Sequence, residues 1–244
     1  MYYRSSPFSN LTPVVKNLLI INALVFLASV VLGRAFDIND YFALYYPASE
    51  RFASYQLITY MFLHANLTHI FFNMFALFMF GSMLERVWGP KRFLAYYLVT
   101  GIGAGLIQYF VAFLSIKYIE TSLSFEQINT VYSQGYEILQ KGMNYSDPIM
   151  AKLNVTINSG TIGASGAVFG VLLAFGMLFP NTQLMLLFPP IPLKAKYFVI
   201  IYGVIELFMG VSSFQGDNVA HWAHLGGMLF GFFMIKYWRS KGIY

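Results

Sequence analysis

Cysteine is absent from this 244-residue chain, and charged residues are scarce. Without cysteine there can be no disulfide framework, no thiol nucleophile and no cysteine-ligated metal site. Only 10% of the residues are charged, whereas soluble globular domains carry about one quarter. Hydrophobic residues make up 58% of the chain and aromatic residues 19%. The composition therefore indicates an integral membrane protein with the lipid bilayer as its surroundings.

Six hydrophobic segments have the length of membrane spans, since a bilayer core needs about 20 apolar residues per helix. The first is too long for a signal peptide and is interpreted as a retained span. The second should begin with a loop or a partly immersed turn, and the short fourth should start below the membrane surface. We predict an all-α polytopic membrane protein, residues 1–244 forming one domain with spans at Val14–Leu32, Gln56–Arg86, Arg92–Ile116, Ile162–Phe179, Tyr197–Phe214 and Ala220–Trp238.

The basic residues predict the orientation of these spans. Cytoplasmic segments carry an excess of lysine and arginine, and an even number of spans leaves both termini on one side. With the termini inside, five basic residues lie outside and ten inside, the latter being Arg4, Lys16, Arg86, Lys91, Arg92, Lys194, Lys196, Lys236, Arg239 and Lys241. Cytoplasmic termini in the cell (inner) membrane are therefore expected. Because the basic residues are dispersed rather than gathered in one patch, no nucleic acid partner is expected.

A long polar insertion, residues 117–160, separates spans three and four on the outer side. Ser124 and Gln127 have the spacing of a helix capping box, and Asp147-Pro148 is a typical start of a further short helix. A helical lid or docking element and a solvated insertion without a dedicated role are both compatible with this pattern.

The motif Gly163-Ala164-Ser165-Gly166 opens the fourth span. Ser165 falls in the first helical turn, where backbone N–H groups lack intrahelical partners and, with the helix dipole, can receive a developing oxyanion. Glycine lets the chain turn sharply into the helix. A small-residue helix contact is the alternative, because Gly166 and Gly170 form a Gly-xxx-Gly pair.

All four histidines lie in two clusters within hydrophobic segments, where ionisable residues are costly and usually functional. His224, Gly227 and Gly231 share one helix face. The glycines allow close packing on span four, which brings His224 to the depth of Ser165. A buried histidine that only bonds a carbonyl group remains the alternative.

The other cluster contains His69 and Asn73, which lie four residues apart on one helix face and can aim donors at one point. His64 is rotated off that face. Zinc requires a carboxylate or third ligand near such a pair; His221 and His224 are the only further nitrogens available, so zinc is a minor alternative. No metal and no cofactor are expected.

Acidic residues inside the spans are few, which limits the type of catalytic group. No aspartate lies within a span, so a Ser–His dyad is predicted rather than a triad. Glu206 is the one acid deep in a span and is interpreted as a structural group, with an ion path as the alternative. Glu85 and Arg86 are expected to form an interfacial ion pair.

In this order and on these spans, the motifs resemble those of the rhomboid family of intramembrane serine proteases. The resemblance covers nearly the whole chain from the Gln56 region onward. It is carried by His64-x4-His69-x3-Asn73, Glu85-Arg86-x2-Gly89, Gly163-Ala164-Ser165-Gly166 and Ala223-His224-x2-Gly227-x3-Gly231.

The resemblance implies a six-transmembrane-helix rhomboid-like bundle that cleaves membrane-spanning proteins through an acyl-enzyme. Ser165 would be the nucleophile and His224 the general base. The oxyanion would be held by His69, Asn73 and the backbone N–H groups of Ser165 and Ala164. Supporting positions would be Gly163, Gly166, Gly227, Gly231, His64 and His221. A rhomboid-like protein that binds membrane clients without cleaving them is the alternative, and a small transporter using Glu206 and the histidines is a less favoured one.

Overall fold

The structure, a computed structural model, describes residues 11–33, 36–185, 190–212 and 219–243. Its helices are α1 Pro13–Leu32, α2 Ile38–Phe42, α3 Gln56–Thr59, α4 Leu67–Ala76, α5 Ser82–Trp88, α6 Pro90–Glu120, α7 Phe125–Gln140, α8 Pro148–Asn158, α9 Ser165–Leu178, α10 Ala195–Ser212 and α11 His221–Ser240. Strands β1 Gln183–Met185 and β2 Pro192–Lys194 form an antiparallel hairpin between α9 and α10. No pattern in the sequence predicts this hairpin.

Each of the six predicted spans corresponds to helical structure. Among the described residues, four helical segments are long and apolar enough to cross a membrane: Pro13–Leu32, Leu67–Trp88, Pro90–Glu120 and Ala195–Ser212. The fourth predicted span forms α9, a shorter apolar helix, and the sixth forms α11. The all-α, multi-pass membrane fold is therefore confirmed. Arg4 and the predicted end of span five, residues 213–214, lie outside the described residues.

The second span has the composite start that its length predicted. Helix α3 runs into a 3-10 turn at Tyr60–Phe62, and a loop then leads to α4. A π-helical turn at Leu77–Gly81 joins α4 to α5. The loop before α4 brings the chain back toward the bundle interior, where His64 is buried.

Glu85 near the end of this span has a role that the sequence did not predict. Its carboxylate accepts hydrogen bonds from the backbone N–H groups of Val14 and Val15, both at 2.9 Å. The first N–H groups of a helix have no intrahelical acceptors, and the N-cap Thr12 does not supply a side-chain one for α1. Glu85 therefore caps α1 from the neighbouring helix.

Helix α9 lies at the centre of the bundle, between α6 and α11. It is apolar on all sides, as a fully enclosed helix must be, and Ala167, Val171 and Ala174 are almost completely buried. Helices α1 and α10 instead expose many large apolar side chains, such as Val30 and Val204. These two helices therefore provide lipid-facing surface, while α9 contributes buried side chains to the interior of the bundle.

The outer insertion is a helical hairpin made of α7 and α8. The predicted capping box is present between Ser124 and Gln127, and Asp147 caps α8 by accepting from the backbone N–H of Ile149 at 2.8 Å. The hairpin packs on the end of α6 through a small apolar core of Ile116, Ile119, Val131, Leu153 and Ile157. The helical form of the insertion is therefore confirmed, and it covers the end of α6.

Candidate active site

The chain turns sharply into α9 immediately before Ser165. Gly163 has φ 132°, a conformation that side-chain-bearing residues rarely adopt, and its N–H donates to the carbonyl of Tyr60 at 2.9 Å. A Cβ at Gly163 would lie 2.9 Å from Nε2 of His69 and 3.5 Å from Oγ of Ser165. Glycine at this position therefore leaves room for the imidazole beside the serine.

Ser165 and His224 are brought into hydrogen-bond contact by the packing of α9 on α11. Nε2 of His224 lies 2.7 Å from Oγ of Ser165. A Cβ at Gly227 would collide with the carbonyl group of Gly166, and one at Gly231 would collide with the hydroxyl of Tyr96. Gly227 therefore permits the close approach of the α9 and α11 backbones that sets the Ser165–His224 distance, and Gly231 leaves room for the side chain of Tyr96.

The imidazole of His224 is held on three sides. The ring of Phe169 stacks on it with 4.2 Å between centroids and 7° between planes. Its Nδ1 lies 2.8 Å from Oε2 of Glu206 on α10, and the same oxygen lies 2.6 Å from Nδ1 of His221. Glu206 is 8% exposed and His224 is 7% exposed. The acid is thus buried against the imidazole that contacts Ser165.

The sequence interpretation of this part of the site is incomplete. The sequence predicts Ser165 and His224 as a pair without an acid. It indicates a structural role for Glu206, with an ion path as the alternative. The contact was missed because Glu206 lies 18 residues before His224, on another helix. The one available signal was that Glu206 is the single acid deep in a span, where an unpartnered carboxylate is costly.

His69 lines one open cavity together with Ser165 and His224. Asn66 caps α4 by accepting from the backbone N–H of His69 at 2.8 Å, and Nδ1 of His69 accepts a long hydrogen bond, 3.4 Å, from the N–H of Ala65. When Nδ1 of a neutral imidazole accepts, Nε2 carries the proton. The nitrogen next to Gly163 is therefore the donor nitrogen of the ring.

Three further residues were predicted to belong to the site or to support it: Asn73, His64 and Ala164. Asn73 follows His69 by one turn, lines the same cavity and donates to the carbonyl of His69 at 3.0 Å. Buried His64 packs edge-on against His69, with ring centroids 5.0 Å apart. Ala164 is the buried N-cap of α9. Its position orients the first turn of the helix that carries Ser165.

An open cavity lies over Ser165 and is flanked by α4 and α10. Its lining includes the predicted residues Ser165, His224, His221, His69 and Asn73. The polar residues Ser159 and Thr161, with Gly160 between them, also line it. The cavity is therefore mixed in polarity, with polar groups at the serine.

The carboxylate of Glu206 and the imidazoles of His221 and His224 also bring three potential metal-ligand atoms within 4.8 Å of one another. Their N···O distances, 2.6 and 2.8 Å, are hydrogen-bond distances. A zinc ion ligated by both atoms of such a pair would sit about 2 Å from each and hold them further apart. The geometry of these three groups fits hydrogen bonding rather than zinc ligation.

Comparison with known proteins identifies the family. A family model described as the Rhomboid domain matches residues 51–241. The chain is 29% identical to the rhomboid protease AarA of Providencia stuartii over 180 residues, 70% of this chain and 51% of that protein. It is 28% identical to RHOMBOID-like protein 12, mitochondrial, of Arabidopsis thaliana over 219 residues, 88% and 55% of the two chains.

A third relative is a human mitochondrial protein. The human presenilin-associated rhomboid-like protein, mitochondrial, is 26% identical over 207 residues, 80% of this chain and 42% of that protein. The chain spans about half the length of the relatives it matches. Since the family model covers most of the chain, including the segments that carry Ser165 and His224, the protein belongs to the rhomboid family.

Proposed function

We propose that this rhomboid protein is a serine endopeptidase that cleaves membrane-spanning proteins within the bilayer. The observation that carries the proposal is the 2.7 Å separation of Ser165 Oγ and His224 Nε2. That distance allows direct proton transfer from the nucleophile to a general base. The pair lines an open cavity in a multi-pass helical bundle, where a substrate span and water can both reach it.

The proposed reaction proceeds in two halves. The imidazole of His224 accepts the hydroxyl proton of Ser165 as Oγ bonds to the scissile carbonyl carbon. The tetrahedral intermediate collapses, the C–N bond breaks, and His224 delivers the proton to the departing amine. Water then attacks the acyl-enzyme in the same way, giving its proton to His224. Release of the carboxylic acid returns that proton to Ser165.

The oxyanion is proposed to form between the first turn of α9 and the side chains of α4. The N–H groups at the helix start lack intrahelical acceptors, and the positive end of the helix dipole points at the developing charge. His69 presents its protonated Nε2 beside Gly163. Asn73 lines the same cavity one turn further along α4. These donors lie on rigid helices, as electrostatic preorganisation requires.

The position of the cavity supports membrane-spanning substrates. It is flanked by α4 and α10, whose outer faces expose Phe71, Ile205 and Phe208 as lipid-facing surface. A substrate helix must unwind locally to offer an amide bond, so substrate segments with helix-breaking residues should be favoured. With ten basic residues on the predicted inner side, we propose cytoplasmic termini and a location in the cell (inner) membrane.

A serine-directed fluorophosphonate probe tests the proposal directly. We expect wild-type protein in detergent to be labelled at Ser165, because the probe phosphorus is attacked by an activated hydroxyl. His224→Ala should slow labelling by at least about 100-fold, since general base catalysis contributes about 10²–10⁴-fold. Labelling is measured by gel fluorescence, and the labelled residue is identified by mass spectrometry.

Three outcomes would contradict the proposal. An unlabelled, correctly folded wild-type protein that still binds membrane proteins would favour the client-binding alternative. Proton or ion flux in liposomes without labelling would favour the transporter. Equal labelling of wild type and His224→Ala would show that a different group activates the serine.

The oxyanion assignment makes a separate prediction for Asn73. Removal of one oxyanion donor typically costs about 2.7–4 kcal/mol of barrier, so Asn73→Ala should lower kcat about 10²–10³-fold with little change in KM. The matched control is Thr68→Ala, because Thr68 lines the same cavity from the same helix and should retain activity. Unchanged kcat with a raised KM in Asn73→Ala would instead indicate a role in substrate binding. Cleavage of a reconstituted membrane substrate provides both constants.

A further inference from the structure

The buried carboxylate of Glu206 has no part in the two-residue mechanism given above. We propose that Glu206 is a positioning residue for His224, so that Ser165, His224 and Glu206 form one hydrogen-bonded series across α9, α11 and α10. The inference rests on the proposed function for its catalytic consequence. The geometry on which it stands is the hydrogen bonding of both nitrogens of one imidazole.

The two contacts of the His224 ring determine where its proton lies. Nδ1 is 2.8 Å from the Glu206 carboxylate and Nε2 is 2.7 Å from the Ser165 hydroxyl. An ionised carboxylate only accepts hydrogen bonds, so Nδ1 must carry the proton. Nε2 of the neutral ring is then an acceptor directed at the serine. This is the tautomer that a general base for Ser165 needs.

Other contacts of His224 do not select this tautomer. Phe169 stacks parallel to the ring, which fixes the plane of the imidazole but is indifferent to which nitrogen carries hydrogen. Gly227 sets the distance between the helix backbones. Among these neighbours, Glu206 is the group whose chemistry distinguishes Nδ1 from Nε2.

The carboxylate also matters after the proton has moved. When His224 takes the proton of Ser165 it becomes an imidazolium, and a negative charge 2.8 Å from its Nδ1 stabilises that state. The pair is almost fully buried, so the interaction is screened less than at a protein surface. Glu206 is therefore expected to favour the transition state as well as the ground-state orientation.

His221 positions Glu206 rather than His224. Its Nδ1 lies 2.6 Å from the same Oε2, so that oxygen is shared by two histidines one turn apart on α11. A carboxylate inside a membrane protein is retained when such donors satisfy it. Because His221 contacts Glu206, its replacement should act through the placement of that carboxylate.

Glu206→Gln is the central test, because it keeps the shape of the side chain and removes its charge. Glutamine offers both an acceptor oxygen and a donor nitrogen, so it no longer enforces the Nδ1-protonated tautomer. We expect kcat to fall at least tenfold, and as much as about 10⁴-fold if the wrong tautomer dominates. KM should stay within about twofold. Glu206→Asp, which retains the charge, should recover part of the lost kcat.

The matched control is Glu137→Gln on the exposed face of α7, which should leave both constants unchanged. Thermal unfolding in detergent separates misfolding from loss of positioning. If Glu206→Gln unfolds at the wild-type temperature and keeps wild-type kcat, the positioning role is wrong. A rise in KM with constant kcat would also overturn it.

A spectroscopic measurement tests the inference without any activity. The chain has four histidines, so ¹⁵N-histidine labelling gives four rings, and His224→Ala identifies the signal of His224. At neutral pH the His224 ring should have a protonated Nδ1 and an unprotonated Nε2 in wild type, and a mixture in Glu206→Gln. A protonated Nε2 with a bare Nδ1 in wild type would overturn the inference. If the tautomer is as expected but wild type neither cleaves nor labels, the proposed protease function has failed and the contact itself stands.

Discussion

Ser165→Ala is expected to abolish cleavage of a membrane-spanning substrate under the proposed function, with a fall in kcat of about 10⁶-fold, as for removal of the nucleophile of a serine protease. The substitution removes one atom, the Oγ that lies 2.7 Å from His224. No bond to the scissile carbon can then form. His224 also loses the hydroxyl group from which it would accept a proton. The site would retain only substrate binding and oxyanion stabilisation.

The same substitution should leave the protein folded and inserted. Only one hydrogen bond is lost, worth about 0.5–1.5 kcal/mol, and alanine is a good residue for the first turn of a helix. The matched control is Ser159→Ala, which removes an exposed hydroxyl from the lining of the same cavity and should keep activity within about twofold. Cleavage is followed in proteoliposomes, with thermal unfolding as the test of folding. Cleavage by Ser165→Ala at the wild-type rate would exclude Ser165 as the nucleophile.

The local parts of this site follow from the sequence, because their information is contained in a few consecutive residues. The glycines around Ser165 predict a turn into a helix. The spacing of His224, Gly227 and Gly231 indicates one closely packed helix face. Likewise Ser124 with Gln127, and Asp147 with Pro148, indicate helix starts, and both helices are present. Hydrophobic length alone predicts the spans.

The parts that could not be predicted depend on how separate helices lie against one another. Glu206 meets His224 only because α10 packs on α11, and no periodicity within α10 specifies that contact. Glu85 caps α1 across 70 or more residues of sequence. The residues next to Glu85 in the sequence do not indicate that contact. The β1–β2 hairpin has three-residue strands, too short for alternation to reveal.

Gly227→Ala is expected to impair the site strongly, although it replaces neither Ser165 nor His224. A Cβ at this position would collide with the backbone carbonyl of Gly166 on α9, and backbone cannot move aside as the end of a flexible side chain can. Helix α11 must shift away, carrying His224 with it. A misplacement of about 1 Å in a catalytic group can cost about 10²-fold in rate. We expect at least this loss in kcat, with a lower unfolding temperature.

Gly203→Ala on α10 provides the matched comparison for this prediction. Its Cβ would meet only the mobile end of Met228, at 3.3 Å from Cε, so the methionine can adjust. Alanine is favoured over glycine in a helix by about 1 kcal/mol, and both substitutions receive that benefit equally. Gly203→Ala should therefore be neutral or slightly stabilising, and the difference between the two variants isolates the contact between α9 and α11. If Gly227→Ala were as active and as stable as Gly203→Ala, close backbone packing would not be what sets the distance from Ser165 to His224.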